Sequence, residues 1–506
     1  MIPQVRTDTG RIRPARWGLA FTALLLATTG SLSRGPVAGS SPAASTSLSV
    51  TPAVGPPTTT PSLDGQGFGA QEVVDFTFDT ANLGRARTNT VGSFSHTVTI
   101  PASATPGNHT ITTTGESTSL SAQTTFLVQT PWTHMGFDLA HTGVNPYENV
   151  VGPSNVHGLT VEWTGLTTGH VNSSAAVADG MVFVGSNDGK LYAFQTHCAT
   201  GGGTCAPVWV ATTGASIFSS PTVADGKVLV GSNDGKVYAF PETCSTPCSP
   251  VWTYTTKADV RGSAAVLDGV VYIGSHDGNL YALDEATGNL DWLASPGGGV
   301  RSYPAIVNGV VYVGSLRGQV LAYPAGPVCA TPPTRCQPLW SGNTLGAVQS
   351  SVTVSGGVVY AGDEKHQLYA FPATCSTPCQ PLWTGTTGGT IHGSPSVFNG
   401  VVYTGSGDGN LYAFPTSCTT PCQPLWTASL GQLTIKSTPG IANGVVYVGS
   451  GKGAVYGFLA TTSCSSPCSR LWSFTTGGAV RTSPSISDGV VYVGSADEKV
   501  YAFALP

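Results

Sequence analysis

The sequence predicts an all-β chain: an eight-bladed β-propeller of four-stranded blades, its last blade closed by the N-terminal strand of the repeat region, preceded by a β-sandwich. Three observations predict it. A phrase of the type Gly-Val-Val-Tyr-Val-Gly-Ser recurs with its second glycine at 185, 231, 274, 314, 362, 405, 449 and 494, and repeats of this length suit propeller blades. A tryptophan keeps the same register at Trp163, Trp209, Trp252, Trp292, Trp340, Trp383, Trp426 and Trp472. The composition, with 65 Gly, 36 Pro, 40% hydrophobic and only 9% charged residues, fits turn-rich β structure and not disorder.

In chain order, residues 1–30 read as a signal peptide. Arg6, Arg11, Arg13 and Arg16 form a basic start, followed by an apolar stretch from Trp17 to Thr28. That stretch is short of the roughly twenty residues a membrane-spanning helix needs. Cleavage is expected near Ala38-Gly39-Ser40, and without it the segment would serve as an anchor. No later stretch is apolar enough to span a bilayer, so the mature chain is expected to have no membrane span. Residues 31–46 are rich in Ser, Ala, Pro and Gly and read as a linker.

Residues 47–129 alternate apolar and polar, as in Val73-Val74-Asp75-Phe76-Thr77-Phe78, with Pro and Gly turns between the runs. This is the pattern of a sandwich with one buried face per sheet. Cues such as Gly65-Gln66-Gly67-Phe68 and Gly92-Ser93-Phe94 make the segment similar to bacterial immunoglobulin-like modules, which implies an Ig-like stalk.

Residues 130–506 hold the repeats. Strand A of each unit carries a Ser-Pro-Ala-Val-like run, B the Val-Tyr-Val-Gly run and C the Tyr-Ala-Phe run, and D is expected to end at the tryptophan. Asp-Gly, Asn-Gly or Gly-Gly joins A to B at 179, 225, 268, 308, 356, 399, 443 and 488, supplying the positive φ that tight hairpins require. Trp163 precedes the first strand A, whereas Pro506 follows the last strand C. The segment Leu159 to Trp163 is therefore expected to complete the final blade, leaving no open sheet edge.

All twelve cysteines lie in close pairs: Cys198 with Cys205, Cys244 with Cys248, Cys329 with Cys336, Cys375 with Cys379, Cys418 with Cys422, and Cys464 with Cys468. Each pair falls between strands C and D. Behind an export signal, six copies read as local disulfides. Zinc would need four ligands at one place, and these pairs sit on different blades.

Formal charge is −5, and without residues 1–40 the chain keeps 16 basic and 25 acidic residues. A phosphate-binding surface needs net positive charge, so nucleic acid is not an expected partner. The aspartates of Asn187-Asp188-Gly189, Asn233-Asp234-Gly235, His276-Asp277-Gly278 and Gly407-Asp408-Gly409 could be read as calcium or catalytic carboxylates. They fall at B–C turns, where Asp-Gly is ordinary turn chemistry, and that reading outranks the other. No His-x-x-x-His, nucleophile elbow or phosphate loop occurs. Hence no catalytic, cofactor-binding or metal-binding residue is expected.

One position does suggest binding. Three residues before the strand-A proline or its equivalent stand Asn172, Phe218, Arg261, Arg301, Gln349, His392, Lys436 and Arg481. Strand A is innermost, so these side chains should ring one mouth of the central channel. Five basic-type groups converging there would attract anions to a chain poor in charge. The competing reading is a wet channel lining.

The run Ala282-Leu283-Asp284-Glu285-Ala286-Thr287-Gly288-Asn289-Leu290-Asp291-Trp292 resembles the tryptophan-docking pattern of pyrroloquinoline-quinone-like propeller repeats. The lead-in Trp132 to Pro146, with Gly136, Asp138, His141-Thr142-Gly143 and Asn145, is also similar to that of such proteins. The resemblance implies an eight-bladed ring and two functional branches. Quinoprotein dehydrogenases bind the quinone and Ca²⁺ over the funnel; other members keep the ring without cofactor. The adjacent cysteines of the alcohol-dehydrogenase branch are missing, and no acidic residue stands at the eight mouth positions. The first cysteine is Cys198, so the lipid-accepting cysteine of the assembly-lipoprotein branch is missing too. The expectation is a secreted or cell-surface, monomeric, non-catalytic binding or scaffold protein without cofactor, whose partner is a protein or glycan of the envelope. The alternative is a PQQ-dependent dehydrogenase carrying PQQ and Ca²⁺ in an atypical site.

Overall fold

β-Branched and aromatic runs become strands here because their alternating side chains can be buried on one or both faces of a pleated sheet. The computed structural model describes residues 45–327, 329, 335–431 and 433–506. The expected signal peptide and almost all of the expected linker lie outside the described residues.

The first described region is a two-sheet sandwich. Strands Ser47–Thr51, Ser62–Gln66 and Phe94–Thr97 form one sheet; Val54–Gly55, Ser121–Val128, Gly107–Gly115, Val73–Phe78 and Ala81–Arg87 form the other. Every second residue of Val73–Phe78 is buried, as the alternation predicts. The inward set Leu63, Val74, Phe76, Phe94, Ile100, Ile111 and Phe126 fills the space between the sheets.

Beyond it, eight further sheets occur among the described residues, one per sequence repeat. The first, from inside outward, is Ala176–Ala178, Met181–Gly185, Lys190–Gln195 and Trp209–Thr212, so the outer strand begins at its tryptophan instead of ending there, because the residues before Trp209 belong to the cysteine hairpin. The last is Ser485–Ser487, Val490–Ser495 and Lys499–Ala504, with Thr160–Leu166 paired antiparallel to Lys499–Ala504 as its outer strand. Each inner strand contacts the inner strand of the next sheet, and Ser485–Ser487 returns to contact Ala176–Ala178. The cycle is closed, the arrangement of a β-propeller. The core lies between neighbouring sheets, as a series of buried clusters; six of them span two sheets each, and the one joining the last sheet to the first, with Trp163, Phe194, Tyr492 and Phe503, also reaches Tyr447 and Trp472 of the sheet before it.

The A–B turns show why Asp and Asn recur there. Asp179, Asp225, Asp268, Asn308, Asn399, Asn443 and Asp488 all adopt φ between 42° and 54°, each followed by a glycine at positive φ. This pair of left-handed residues matches the strand twist in a two-residue hairpin.

Each outer-strand tryptophan donates its indole N–H to a backbone carbonyl of the following sheet. The series begins with Trp163 to Thr196 at 2.7 Å and Trp209 to Glu242 at 3.1 Å, and ends with Trp472 to Leu159 at 3.1 Å. The five tryptophans between them do the same. A buried indole N–H needs such a partner. At the third sheet the acceptor is Glu285, within the Asp-x-x-Thr-Gly turn. A Cβ on Gly288, at φ 73°, would lie 2.5 Å from Trp252, so glycine is what allows this turn to seat on the ring.

All six expected disulfides are present: Cys198 to Cys205, Cys244 to Cys248, Cys329 to Cys336, Cys375 to Cys379, Cys418 to Cys422, and Cys464 to Cys468. Their Cα–Cα distances are 5.3–5.9 Å. They do more than the expected closure of a hairpin within one repeat. The second cysteine of each pair is buried and hooks onto the outer strand of the preceding sheet. Cys248 donates its N–H to Val210 at 3.1 Å and bridges in parallel with Ala211, so its hairpin is fastened to the sheet before its own. Cys379, Cys422 and Cys468 donate N–H to Ser341, Thr384 and Thr427 at 2.7–2.8 Å. Cys205 and Cys336 lie in short strands parallel to Thr160–Leu166 and Leu290–Ala294. The hairpins therefore cover outer edges that would otherwise be open.

Nor is the central channel hollow. The segment Trp132–Asn145 runs inside it and satisfies the inner-strand edges one after another. Val177, Val223, Ile306, Val354, Val397 and Ile441 donate N–H to Trp132, Thr133, Leu139, Ala140, Thr142 and Gly143 at 2.7–2.9 Å. The Asn145 amide donates to Ile486 at 2.9 Å. This lead-in thus ties seven of the eight inner strands to one another. His141 is buried and His134 half-buried within it, and desolvation holds both below their ordinary value, His141 at about 3, so they are neutral at pH 7.

On the hairpin face, burial first and the nearby Asp179 carboxylate second push the Glu242 carboxyl up to about 7 from 4.5. Between those values the folded chain keeps a proton that the unfolded chain releases. This contribution to stability is complete below about pH 4.5 and is lost as pH rises through about 7. Glu242→Gln is expected to remove that slope and raise the melting temperature above pH 7. Parallel melting profiles for both proteins from pH 4 to 8 would refute the assignment.

Candidate functional site

Six of the eight mouth positions come together. Asn172, Arg301, Gln349, His392, Lys436 and Arg481 line one cavity of about 80 Å³, with Met135 of the inserted segment in its wall. Phe218 and Arg261 do not line it. The Arg261 guanidinium lies 5.1 Å over the Phe218 ring, and its Nε is 2.6 Å from Asp259 Oδ2. Asp259 also holds His276, at 2.9 Å. The cationic character expected of the whole ring is therefore neutralised on the Arg261 side and concentrated at Arg301, Lys436 and Arg481. Arg301 donates to Gln349 Oε1 at 3.0 Å and to His276, and Gln349 in turn donates to Glu364.

Among the described residues, neither Lys436 nor Arg481 has a carboxylate within 4.0 Å. Partial burial, then the charges of Arg481 and Arg301, hold the Lys436 ammonium below its ordinary value. Burial, then Lys436, does the same to His392, which is neutral at pH 7. Burial and Arg261 act likewise on Arg301. Like charges thus crowd the mouth without a full complement of counter-charge.

Below this ring lies a second one. Two residues further along each inner run stand Ser174, Ser220, Ser263, Tyr303, Ser351, Ser394, Thr438 and Ser483. The N–H of each of seven members donates to the hydroxyl of the next sheet's member, as in Ser351 to Ser394 at 3.0 Å and Ser483 to Ser174 at 2.8 Å. The seven Ser and Thr side chains are all buried. Each accepts a backbone proton and keeps its own O–H for a further acceptor. Five of them, with Tyr303, line the cavity.

The B–C aspartates are structural. Asp188, Asp234, Asp277, Asp363, Asp408 and Asp497 each accept the hydroxyl of a tyrosine on strand C at 2.5–3.1 Å. Burial opposes ionisation of Asp188, but hydrogen bonds from Thr168 and Tyr192 outweigh it and hold the carboxyl below its ordinary value. These carboxylates hold the turn to the strand, as Asp-Gly turn chemistry implied.

The repeats match the family model described as outer membrane protein assembly factor BamB over residues 160–371 and 422–505, more than half of the chain. The chain belongs to that family. No curated protein matches it in sequence. Among solved structures, the BamB-family fold is shared with BamB from Moraxella catarrhalis at 18% identity and TM-score 0.53, covering 68% of this chain and 97% of that one. It is shared also with the quinohemoprotein alcohol dehydrogenase from Comamonas testosteroni, at 15% identity and TM-score 0.58, covering 74% and 80%. A computationally designed protein, Ika8, matches at 17% identity and TM-score 0.54, covering 68% and 100%. At these identities the likeness is one of fold.

The residues at the mouth of this BamB-family chain do not fit a quinone with Ca²⁺. The two carboxylates nearest the mouth, Asp259 and Glu364, are engaged by Arg261, His276 and Gln349. A cavity of about 80 Å³ is also well below the roughly 300 Å³ at which pockets for cofactor-sized molecules begin.

Proposed function

We propose that this chain is a non-catalytic binding or scaffold protein, secreted or displayed on the cell envelope. In this reading its eight sheets are the blades of an eight-bladed propeller and residues 47–129 are an Ig-like module that carries it. The observation that carries the proposal is the match, over more than half the chain, to a family described as an outer membrane assembly factor. Six disulfides support an oxidising, extracytoplasmic location. The mouth cavity supports binding over redox chemistry, for the reasons of size and carboxylate pairing given above. The partner is a protein or glycan of the envelope.

The test is dye reduction by the exported chain with added pyrroloquinoline quinone, Ca²⁺ and a panel of alcohols and sugars. No turnover above a quinone-free control is expected. Turnover that saturates with quinone would overturn the reading.

A further inference from the structure

The mouth cavity combines two features that a merely wet channel does not need. Its rim carries three cations, Arg301, Lys436 and Arg481, and its wall carries Ser174, Ser351, Ser394, Thr438 and Ser483. Those five hydroxyls are buried, and each already accepts a backbone N–H from the neighbouring sheet. Their remaining hydrogen-bonding capacity is chiefly donation, and they face one another around a common axis. A ring of convergent donors beneath uncompensated cations is complementary to negative charge and to little else.

Size narrows the ligand. Counting roughly 15 Å³ of such volume per water-sized group, the cavity of about 80 Å³ holds about five. That is the number of heavy atoms in a tetrahedral oxoanion. Donors arranged around an axis, with cations above, also reach all four corners of a tetrahedron, whereas a planar carboxylate would leave part of the ring unanswered. The carboxylates that face the site, Glu364 and Asp259, are bound to Gln349 and to Arg261 with His276, on one flank of the mouth. Lys436 and Arg481 stand on adjacent sheets away from that flank.

We propose that this cavity is a binding site for one tetrahedral oxoanion, phosphate or sulfate, held by Arg301, Lys436 and Arg481 over the hydroxyl ring. The proposal rests on the reading of the chain as a binding protein and names a ligand chemistry for it. The oxoanion is either the free ion or a phosphomonoester on a larger molecule whose remainder projects out of the mouth.

The experiment is calorimetric titration of the exported chain with inorganic phosphate, sulfate, glycerol 1-phosphate and acetate, each at fixed ionic strength. Saturable one-to-one binding of phosphate is expected, weakened at least tenfold in Lys436→Gln/Arg481→Gln, because each variant loses a charge-assisted contact. Both side chains are exposed, so the fold should survive, and an unchanged melting temperature verifies this. Arg261→Gln, which touches Asp259 and Phe218 instead, is expected to change the affinity less than threefold. Ser394→Ala/Ser483→Ala tests the hydroxyls separately from the charges and is also expected to weaken phosphate.

Glycerol 1-phosphate binding as tightly as phosphate would assign an esterified source, and rejection of it would assign the free ion. No saturation with phosphate, sulfate or the ester overturns the proposal, as does equal affinity of wild type and Lys436→Gln/Arg481→Gln. Acetate binding as tightly as phosphate overturns the tetrahedral assignment. Failure here leaves the binding-protein reading standing, whereas quinone-dependent turnover would remove that reading and leave a phosphate isotherm intact.

Discussion

Complete reduction of the six disulfides is expected to unfold the chain at temperatures where the oxidised protein is stable. Closing loops this short contributes on the order of 2 kcal/mol each in the chain-entropy model. Six together approach the roughly 5–15 kcal/mol that holds a typical folded domain. Entropy is only half of the argument. The second cysteine of every pair is buried between two sheets, and its backbone either donates to the outer strand of the preceding sheet or pairs parallel with it. Breaking a pair therefore also frees the hairpin that covers that edge. Melting in the presence and absence of reductant, with thiol titration to show that all twelve cysteines have reacted, provides the measurement. Removing one pair by Cys375→Ser/Cys379→Ser should lower the melting temperature by only about 4 °C, because the other five hairpins remain. An unchanged melting temperature after complete reduction would show that the hairpins hold without their covalent links.

Local chemistry written once per repeat was the part legible in the sequence. The Asp-Gly and Asn-Gly turns, the cysteine pairs and the tryptophan register each depend on neighbours within a few residues or on the adjacent repeat, so spacing alone placed them. The last strand of the final sheet was legible for the same reason, since Trp163 stands one register ahead of its repeat. The grip of each cysteine hairpin on the preceding sheet was not, because the spacing of Cys244 and Cys248 is silent about Val210 some forty residues earlier. Also illegible is whatever depends on a single, unrepeated segment meeting many repeats at once. The lead-in Trp132–Asn145 carries no β periodicity, and nothing in its sequence says that its carbonyls answer six inner strands. The partial neutralisation of the mouth was hidden for a different reason. Asp259 and Glu364 stand outside the mouth register, in a D–A loop and a B–C turn, and only the fold brings them beside Arg261 and Gln349. The hydroxyl ring, by contrast, did leave a signal: Ser, Thr or Tyr occupies the same place in all eight units, two residues past the mouth. It reads as an ordinary strand until the geometry shows that each of the seven Ser and Thr hydroxyls accepts a backbone proton from the preceding sheet.

Trp163→Ala should be the costliest single substitution at any of the eight tryptophans. The ring is fully buried, lies tilted against Phe194 and Tyr492 with centroids at 5.9 and 6.0 Å, and donates to Thr196 at 2.7 Å. Truncating a buried tryptophan typically costs about 3–5 kcal/mol from lost transfer and the cavity left behind. Trp209 is equally buried and makes the same kind of donation, to Glu242, so packing alone predicts equal losses for Trp163→Ala and Trp209→Ala. The difference lies in connectivity. Trp209 sits in a sheet whose four strands are consecutive in the chain, whereas Trp163 belongs to the strand that pairs with Lys499–Ala504, across more than three hundred residues. Loosening it opens the sheet whose integrity depends on the two ends of the repeat region meeting. Hydrogen exchange should therefore accelerate along Lys499–Ala504 in Trp163→Ala, while Trp209→Ala should leave that strand protected. Trp163→Phe, which keeps an aromatic ring but not the N–H, should fall between wild type and alanine, because it restores most of the packing and none of the donation to Thr196. Equal exchange in Trp163→Ala and Trp209→Ala would mean that the ring is held by its interfaces alone and that the closing strand adds no special constraint.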